Sequence, residues 1–481
     1  MTTLLDNRLY TPIHILNDDA LLSIFCLYQL IISESYHDVF TFPHWENEKW
    51  WYKLAQVCQR WRSLILASPV RLGLHLICTY GTPVADMLAH SPPFPLIINY
   101  LDHGLVASTE DEEAILLSLQ HRDRVRRIGL SMPAQNLLKL IKAMDGQFTA
   151  LERLFIWPLT EDNTNLMIPP TFQAPHLGML SLVHAALSVG SPLLTTTIGL
   201  SSLELSNIPL TAYFHPSYLV ERISSMPQLE CLSIGFRAPT PTRHVERPPP
   251  HTLIGMHLTL PNLRFFFFRG VNAYLEGLLS RINTPLLEVL KVQLFNQLSF
   301  TVPHLFQFIN KTESLKFNFS QLFLHRDTVV LSANSQKGDR VNHLHLAVSC
   351  RHVDWQVSAA AQIFNALVPI LSITESLALG YEEHDLSSEQ HNEINRMQWR
   401  NLLRPFNGVK ALHIPGNLIS HLSHSLQLEN EESPLELLPE LLELMYYKEG
   451  TSDTFTPFIN ARQIAGRPVV LIHVPPQPAS L

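Results

Sequence analysis

Histidine is frequent in this chain, and its closest pairs are the first residues whose spacing could support chemistry. The 481 residues include 24 histidines, with the tightest pairs at His343-x-His345 and His421-x-x-His424. Such pairs can hold a metal, but a structural zinc site needs four ligands, usually with cysteines at fixed spacing, and none lies nearby. Because His343 and His345 alternate with leucines, we expect both to point from a strand away from the core. We predict no metal and no cofactor.

The common motifs of enzyme active sites do not occur in the sequence. It contains neither the nucleophile elbow G-x-S-x-G nor the phosphate-binding loops G-x-x-x-x-G-K-[ST] and G-x-G-x-x-G. The densest basic cluster, Arg122–Arg127, follows a helix with an acidic start, so the helix dipole explains where that helix begins. A patch for an acidic partner is the other interpretation of this cluster. We predict that the chain is not an enzyme.

Composition narrows the class of protein further. Hydrophobic residues make up 46% of the chain and charged residues 16%, which allows a substantial core. The net charge of −8 argues against a nucleic-acid binder that relies on phosphate neutralisation. Five scattered cysteines fit a reducing compartment, and no apolar run reaches the ~20 residues needed to span a bilayer. We expect a cytoplasmic and/or nuclear protein without nucleic-acid or membrane partners.

Two short stretches near the start of the sequence have helical spacing. In 16–28, apolar residues return at i, i+3, i+4 and i+7, and Asn17 or Asp18 can cap the helix. A second apolar stripe runs through 54–64, with two arginines on its flank. On periodicity alone these stretches are two packed core helices.

The order of residues in these stretches resembles the F-box, a helical module that docks an adaptor of the Skp family. The hydrophobic, acidic and leucine-rich places of its first motif are taken by Leu16, Asp19, Leu21, Ile24 and Phe25. Its second signature, Val-Cys-x-x-Trp-Arg, is matched by Val57, Cys58, Trp61 and Arg62. The chain departs from the family in having Asn17 where proline is usual and a long connection over roughly 29–50.

A repeat begins after these helices. Strict alternation at 72–78 predicts a half-buried strand, followed by a helix at 82–90, an extended segment at 94–101 and a helix at 110–120. Thr109 and Glu112 form a possible capping box for the last of these helices. The template L-x-x-L-x-L, with other apolar residues allowed, then starts at residues 125, 151, 177, 200, 229, 263 and 287. Weaker copies start at 312, 341 and 374, and copies at 409, 441 and 469 complete the run.

The spacing of these copies indicates the fold. Successive starts lie 23 to 35 residues apart, and four copies have a proline two places before the first leucine, at Pro175, Pro227, Pro261 and Pro285. Mid-twenties spacing is typical of leucine-rich repeats, in which each unit supplies one strand and one helix or irregular return. A doubly wound sheet would rarely need so many strands, since open sheets seldom exceed ~10.

We therefore predict an α/β protein in which a small N-terminal helical F-box precedes a leucine-rich-repeat-like solenoid, a curved parallel sheet with helices on its convex side. The F-box would cover 1–71, with core motifs at 13–28 and 51–66 and an insertion at 29–50. The irregular solenoid would cover 72–481, interrupted by a proline-rich insertion at 237–251 and a polar loop at 382–400.

The residues between the template leucines should line one face of the sheet and be exposed together. Aromatic and arginine side chains are the types that anchor interfaces. The candidate target-binding residues are Arg153, Phe155, Trp157, Phe265, Phe267, Arg269, Lys291, Lys316, His343 and His345, with Glu204, Gln293 and Asn318 beside them. In 265–268, alternation turns two of four phenylalanines outward, and either a partner or a neighbouring loop would cover them.

The chain is similar to fungal F-box proteins with a leucine-rich-repeat-like region, and this resemblance implies a function. The chain would be the substrate-recognition subunit of a Skp–cullin–F-box ubiquitin ligase, bound to the adaptor and through it to cullin. The resemblance assigns adaptor docking to Leu16, Leu21, Ile24 and Phe25, with docking or core roles for Val57, Cys58 and Trp61. The repeat surface would select an unknown target protein. The alternative is a repeat-based interaction scaffold without ubiquitin-ligase coupling.

Overall fold

The structure is a computed structural model of the full chain. It describes residues 13, 15–34, 50–101, 105–159, 166–188, 190–239, 257–297, 299–337, 340–350, 353–381, 396–427, 435–447 and 452–473. Most of the predicted insertion at 29–50, of the proline-rich insertion and of the polar loop lies outside these residues.

The chain divides into two compact units, Met1–Leu177 and Gly178–Leu481. The predicted boundary between residues 71 and 72 falls within the first unit. The helical segment shares the first unit with the strands that follow it, because the Trp51 ring packs edge-on against Phe94 with 6.2 Å between ring centroids. Burial of aromatic rings across the predicted boundary explains the difference.

The first unit contains six helices and five strands among its described residues. The helices are α1 (Asp18–Glu34), α2 (Trp50–Ala55), α3 (Gln59–Ala67), α4 (Val84–His90), α5 (Thr109–Gln120) and α6 (Ala134–Ala143). The strands are β1 (Leu76–Cys78), β2 (Leu96–Tyr100), β3 (Val125–Met132), β4 (Arg153–Pro158) and β5 (Leu166–Met167). Strands β1 to β4 pair in parallel and in chain order.

The first strand is shorter than alternation predicted. It covers only Leu76–Cys78, and all three residues are buried, so it is not half-buried. Leu72 and Leu74 are also buried, but they lie in a turn in which the Leu74 N–H donates to the Pro69 carbonyl. A tight turn can bury alternate side chains as a strand does, and the sequence pattern does not distinguish the two.

Helix α5 has a capping box one residue earlier than predicted. Ser108, not Thr109, is the N-cap. Its hydroxyl accepts from the Asp111 N–H at 3.1 Å, and the Asp111 carboxylate accepts from the Ser108 N–H at 2.9 Å. The two bonds satisfy two of the helix's otherwise unpaired N–H groups.

Ser108→Ala is expected to lower the free energy of unfolding of the first unit by about 1 kcal/mol, because the cap hydroxyl is lost. Urea denaturation followed by circular dichroism measures the change. Ser63→Ala, an exposed serine within α3, is the control and should change stability by less than about 0.5 kcal/mol. Equal effects of the two substitutions would contradict the cap.

The second unit contains nine helices and fifteen strands among its described residues. The helices are α7 (Pro192–Thr195), α8 (Pro216–Ile223), α9 (Asn272–Leu279), α10 (Pro303–Lys311), α11 (Val353–Ala366), α12 (Val368–Leu371), α13 (Arg396–Leu403), α14 (Ile419–Leu426) and α15 (Thr456–Ile464). The first strands are β6 (Met179–Val183), β7 (Ala185–Ala186), β8 (Ser202–Ile208), β9 (Cys231–Phe236), β10 (Leu258–Thr259), β11 (Phe265–Gly270), β12 (Ile282–Asn283) and β13 (Val289–Phe295). They are followed by β14 (Phe319–Leu324), β15 (Thr328–Lys337), β16 (Arg340–Ser349), β17 (Ser376–Tyr381), β18 (Ala411–Ile414), β19 (Glu443–Tyr446) and β20 (Val470–His473).

The main sheet of this unit follows the chain except at one place. Its order is β6-β8-β9-β11-β13-β16-β15-β14-β17-β18-β19-β20. All neighbours are parallel apart from β15, which is antiparallel to both β14 and β16. The predicted copy starting at Thr312 is therefore wrong: Leu315 ends a 3-10 turn, and the strand begins later, at Phe319. A three-stranded meander thus replaces one regular repeat, and the long-range pairing of β13 with β16 decides this.

The recurring proline of the repeat has a structural role. Pro175, Pro227, Pro261 and Pro285 each occupy the second position of a turn that precedes a strand. In every case the N–H of the following template leucine donates to the carbonyl three residues earlier, at 3.1 to 3.4 Å. Proline suits this position because its fixed φ angle is the one that common turns require. The same turn thus starts four strands.

Alternation along the strands separates two faces as predicted. In β11, Phe266 and Phe268 are fully buried, whereas Phe265 and Phe267 are half-buried. The template leucines are almost all inaccessible, including Leu203, which lies in β8. Helices α8, α9 and α10 pack on one another in sequence. The result is a mixed α/β unit in which a mostly parallel sheet carries an apolar core on one face.

Candidate functional site

Helix α1 is apolar on two sides, and within the part of the chain that the structure describes only one of them is fully buried. Leu21, Leu22 and Phe25 are buried. On a flanking side, four apolar residues at i, i+3, i+4 and i+7 spacing are exposed, and we call them the outer face of α1: Ile24, Leu27, Tyr28 and Ile31, with 44%, 59%, 37% and 65% of their surfaces exposed. Tyr28 lies at the edge of this face, where its ring meets Trp50 edge-on at 6.4 Å between centroids. A helix that is apolar all round is usually buried, so this face has the character of an interface.

The residues that match the second F-box signature pack α1 against α3. The Trp61 ring meets Phe25 edge-on, with 4.9 Å between ring centroids. Cys58 is the N-cap of α3, and its sulfur accepts from the Trp61 N–H at 3.5 Å. Arg62 Nε donates to the Ala55 carbonyl at 3.0 Å, which ties α3 to the end of α2. The motif therefore fixes the geometry of the helices.

An ion pair adds a second tie between α1 and α3. Arg60 contacts the Asp18 carboxylate at 2.7 Å and donates to the Leu16 carbonyl at 2.6 Å. Asn17 caps α1, as predicted, by accepting from the Ala20 N–H at 2.8 Å. Both Arg60 and Asp18 are more than a third exposed, so solvent screens the pair and its contribution is at most about 1 kcal/mol.

The predicted adaptor-binding residues fall into three groups. Ile24 and Val57 are exposed, whereas Leu16, Cys58 and Trp61 are half-buried. Leu21 and Phe25 are buried, at 0% and 1% exposure, so the prediction that they present their side chains to an adaptor is wrong for this structure. Their apolar surface is already used in packing α1 on its own unit.

Leu27, Tyr28 and Ile31 were not among the binding residues predicted from the sequence. The available signal was the nearly continuous apolar run 20–32, which is longer than one buried helix face requires. Helical periodicity shows which residues share a side, but not which side meets the protein core.

A second candidate surface lies on the sheet of the second unit. Phe267, Lys291 and His345 are aligned across β11, β13 and β16, and His343 lies two residues before His345. We call the outward residues of these strands the cationic sheet face: Phe265, Phe267, Arg269, Lys291, His343 and His345. All six are half-buried. Lys291 Nζ lies over the Phe265 ring, 5.6 Å from its centroid, a favourable cation–π distance.

Arg269 is held by neutral groups. Its Nη1 donates to the Asn207 side-chain oxygen at 3.0 Å, and its guanidinium carbon lies 5.6 Å from the centre of the Phe295 ring. Asn207 has a φ of 54°, contacts the His184 ring at 3.1 Å, and lies where the register of β8 against β9 shifts. Asparagine adopts left-handed backbone more readily than other non-glycine residues, which suits the shift in register here. Neither Asn207 nor His184 was predicted from the sequence.

The two histidines are neutral in their surroundings. His343 Nδ1 contacts the Asn334 side-chain oxygen at 2.5 Å, and the two imidazole rings lie 5.9 Å apart. Burial, followed by repulsion from Lys291, lowers the pKa of His343. Burial, together with His343, Lys291 and His325, lowers the pKa of His345 to about 4. At neutral pH these side chains offer hydrogen bonds but no charge.

The stability of the second unit is expected to fall as the pH drops from about 7 toward about 4. His345 has a folded-state pKa of about 4 and an unfolded value of about 6.5, so the unfolded state binds more protons in this window. Its stabilising contribution is present above the unfolded pKa and is lost on acidification. His345→Gln should make the slope of unfolding free energy against pH shallower, by less than about 1.4 kcal/mol per pH unit.

Urea denaturation at a series of pH values measures that slope. His424→Gln, which changes an exposed histidine of α14, is the control and should leave the slope close to that of the unchanged chain. Identical slopes for the two variants would refute the assignment to His345.

Three predicted target-binding residues lie in the first unit. Arg153 and Trp157 of β4 are half-buried, whereas Phe155 is buried at 6% exposure, so its predicted exposure is wrong. Alternation fails in this strand, because three consecutive residues, 154–156, are buried. Lys316 is exposed but precedes β14 and pairs with Glu313 at 2.7 Å, so it is not on the sheet face.

The predictions about metal binding and membrane-spanning segments can be compared with the residues that the structure describes. Among them, no group of three or more His, Cys, Asp or Glu side chains is arranged to hold a metal ion. No helix in the described ranges has the length and apolar character needed to cross a membrane. The candidate sites that the described residues support are therefore two surfaces, the outer face of α1 and the cationic sheet face.

Comparison with known proteins assigns no family to this mixed α/β chain. No family model matches it, and no curated protein matches it. Among solved structures, the chain has similarity to the crystal structure of Listeria monocytogenes InlP. The identity is 12%, over 51% of this chain and 86% of that one, with a TM-score of 0.25. A TM-score this low supports no argument about fold or function.

Proposed function

We propose that this chain is the substrate-recognition subunit of a Skp–cullin–F-box ubiquitin ligase. In this proposal α1, α2 and α3 form an F-box that binds a Skp-family adaptor, and the strand-and-helix units after them form a leucine-rich-repeat-like solenoid that binds the target. The chain makes no covalent bond itself. It holds the target close to a ubiquitin-conjugating enzyme that the other subunits recruit, so proximity and orientation supply the rate enhancement.

The observation that carries the proposal is the outer face of α1. Four apolar side chains at one helical spacing remain exposed on a helix whose other side is fixed by Trp61 and Arg60. A rigid helix with an exposed apolar stripe suits binding in a groove or against a helix of a partner. The order of residues in these helices resembles the F-box, and this resemblance indicates a Skp-family adaptor as the partner.

The resemblance requires one change in the assigned docking residues. We assign adaptor contact to Ile24, Leu27, Tyr28 and Ile31, and we assign Leu21 and Phe25 to the core that supports them. Val57 is exposed at the turn before α3 and is a second candidate contact. This ligase would act in the cytoplasm and/or nucleus, without a nucleic-acid or membrane partner.

Co-expression with a Skp-family adaptor, followed by size-exclusion chromatography, tests the proposal. We expect a stoichiometric complex that also binds cullin. If the folded chain never binds an adaptor, the proposal fails. The alternative is then a repeat-based interaction scaffold without ligase coupling, which the cationic sheet face alone would support.

A further inference from the structure

We propose that the cationic sheet face binds an acidic, extended segment of the target protein, in which carboxylate side chains at alternate positions reach Lys291 and Arg269. This inference deepens the proposed function, because it names the chemistry of the target. It depends only on the second unit, so it can be tested without the adaptor.

The charge on this face is uncompensated. Among the residues that the structure describes, neither Arg269 nor Lys291 pairs with a carboxylate. Glu204 of β8, which is aligned with Phe267 through Ser233 of β9, accepts hydrogen bonds from the hydroxyls of Ser181 and Ser206 at 2.7 and 3.0 Å. Two cations in a half-buried setting without an acidic partner favour an anionic ligand, because screening by solvent is weaker there than on an open surface.

The guanidinium of Arg269 is oriented before any ligand binds. The Asn207 amide and the Phe295 ring fix its position without neutralising it. A positioned arginine loses less side-chain entropy on binding, and its planar fork suits a carboxylate.

The two cations extend toward different ends of the face. Lys291 Nζ lies over the Phe265 ring, whereas the Arg269 guanidinium lies over the Phe295 ring, each 5.6 Å from the ring centroid. Phe265 is aligned with Val289, and Phe295 lies six residues beyond Val289, which is roughly 20 Å along a strand. An extended segment that reaches both cations therefore needs carboxylates several residues apart, on the same side of its backbone.

The aromatic residues beside the cations indicate what should flank the acids. Phe265 and Phe267 are half-buried, next to Lys291 on the same face. An apolar side chain of the target, two residues from one of the acids, would contact these rings. Such a target segment combines charge complementarity with an apolar anchor, and that combination suits a specific interface.

Fluorescence anisotropy with the purified full chain tests this inference. The probe is a labelled peptide with Glu at alternate positions followed by Phe, and its matched control has Gln in place of every Glu. We expect the Glu peptide to bind about tenfold more tightly than the Gln peptide. Equal binding of the two peptides would overturn the inference.

Substitutions locate the binding on the protein. Arg269→Gln and Lys291→Gln should each weaken binding of the Glu peptide by about tenfold. The matched control is Lys316→Gln, which removes the same charge from an exposed lysine off the face and should have little effect. If Lys316→Gln weakens binding as much as Lys291→Gln, the attraction is non-specific and the inference fails. Thermal unfolding of each variant identifies any loss that comes from misfolding, and Lys291→Gln provides the test if Arg269→Gln unfolds.

The two proposals fail separately. A chain that binds the Glu peptide but no adaptor would retain the inference and lose the ligase proposal. A chain that binds an adaptor and discriminates neither peptide would do the reverse.

Discussion

The double substitution Ile24→Asp and Leu27→Asp is expected to abolish adaptor binding, weakening it by more than about a hundredfold, while the chain stays folded. Both side chains lie on the outer face of α1, at 44% and 59% exposure. Apolar residues at the centre of an interface contribute most of its affinity, and a carboxylate in their place would be desolvated without a partner. Size-exclusion chromatography of the co-expressed chain and adaptor measures the loss.

The choice of residues matters for this experiment. A substitution such as Phe25→Asp would place a charge at a buried site that packs on Trp61, so loss of binding could reflect loss of folding. Val70→Asp is the matched control, because Val70 lies in the same unit, outside α1, and is 93% exposed. Retained adaptor binding by the double variant would remove the outer face of α1 from the docking surface, as would equal loss in Val70→Asp.

Phe268→Ala is expected to lower the free energy of unfolding of the second unit by about 3 to 5 kcal/mol. Phe268 is fully buried, its ring stacks on Tyr274 with 5.7 Å between centroids, and Phe236 lies edge-on to it at 6.5 Å. The substitution removes a large side chain from an aromatic cluster between β9, β11 and α9, and the backbone can close the cavity only in part.

Phe267→Ala is a closely matched control for this prediction. The residue type and strand are the same, but Phe267 is half-buried on the opposite face of the sheet. We expect a stability loss of about 1 kcal/mol from its partial burial, together with weaker binding of the acidic peptide. Urea denaturation by circular dichroism compares the two variants. Equal stability losses would contradict the assignment of the two faces.

The local structure of the repeat was predictable from short-range pattern. Alternation at 265–268 determined which phenylalanines face the core, because successive side chains of a strand point to opposite faces. The prolines before Leu177, Leu229 and Leu263 marked turns, because their φ angle suits the turn whatever the rest of the chain does. The resemblance to the F-box was also visible in the sequence, and its adaptor-binding role stays a prediction.

The sequence by itself determined where most strands lie and which of their residues share a face, since both depend on the period of side chains along the backbone. Only the tertiary structure decided which side of α1 is fully buried, that Phe155 is not exposed, and that Lys316 lies off the sheet face. It also decided the antiparallel meander at β14, β15 and β16. Each of these outcomes depends on contacts between residues distant in the chain, and local periodicity carries no information about which distant surfaces meet.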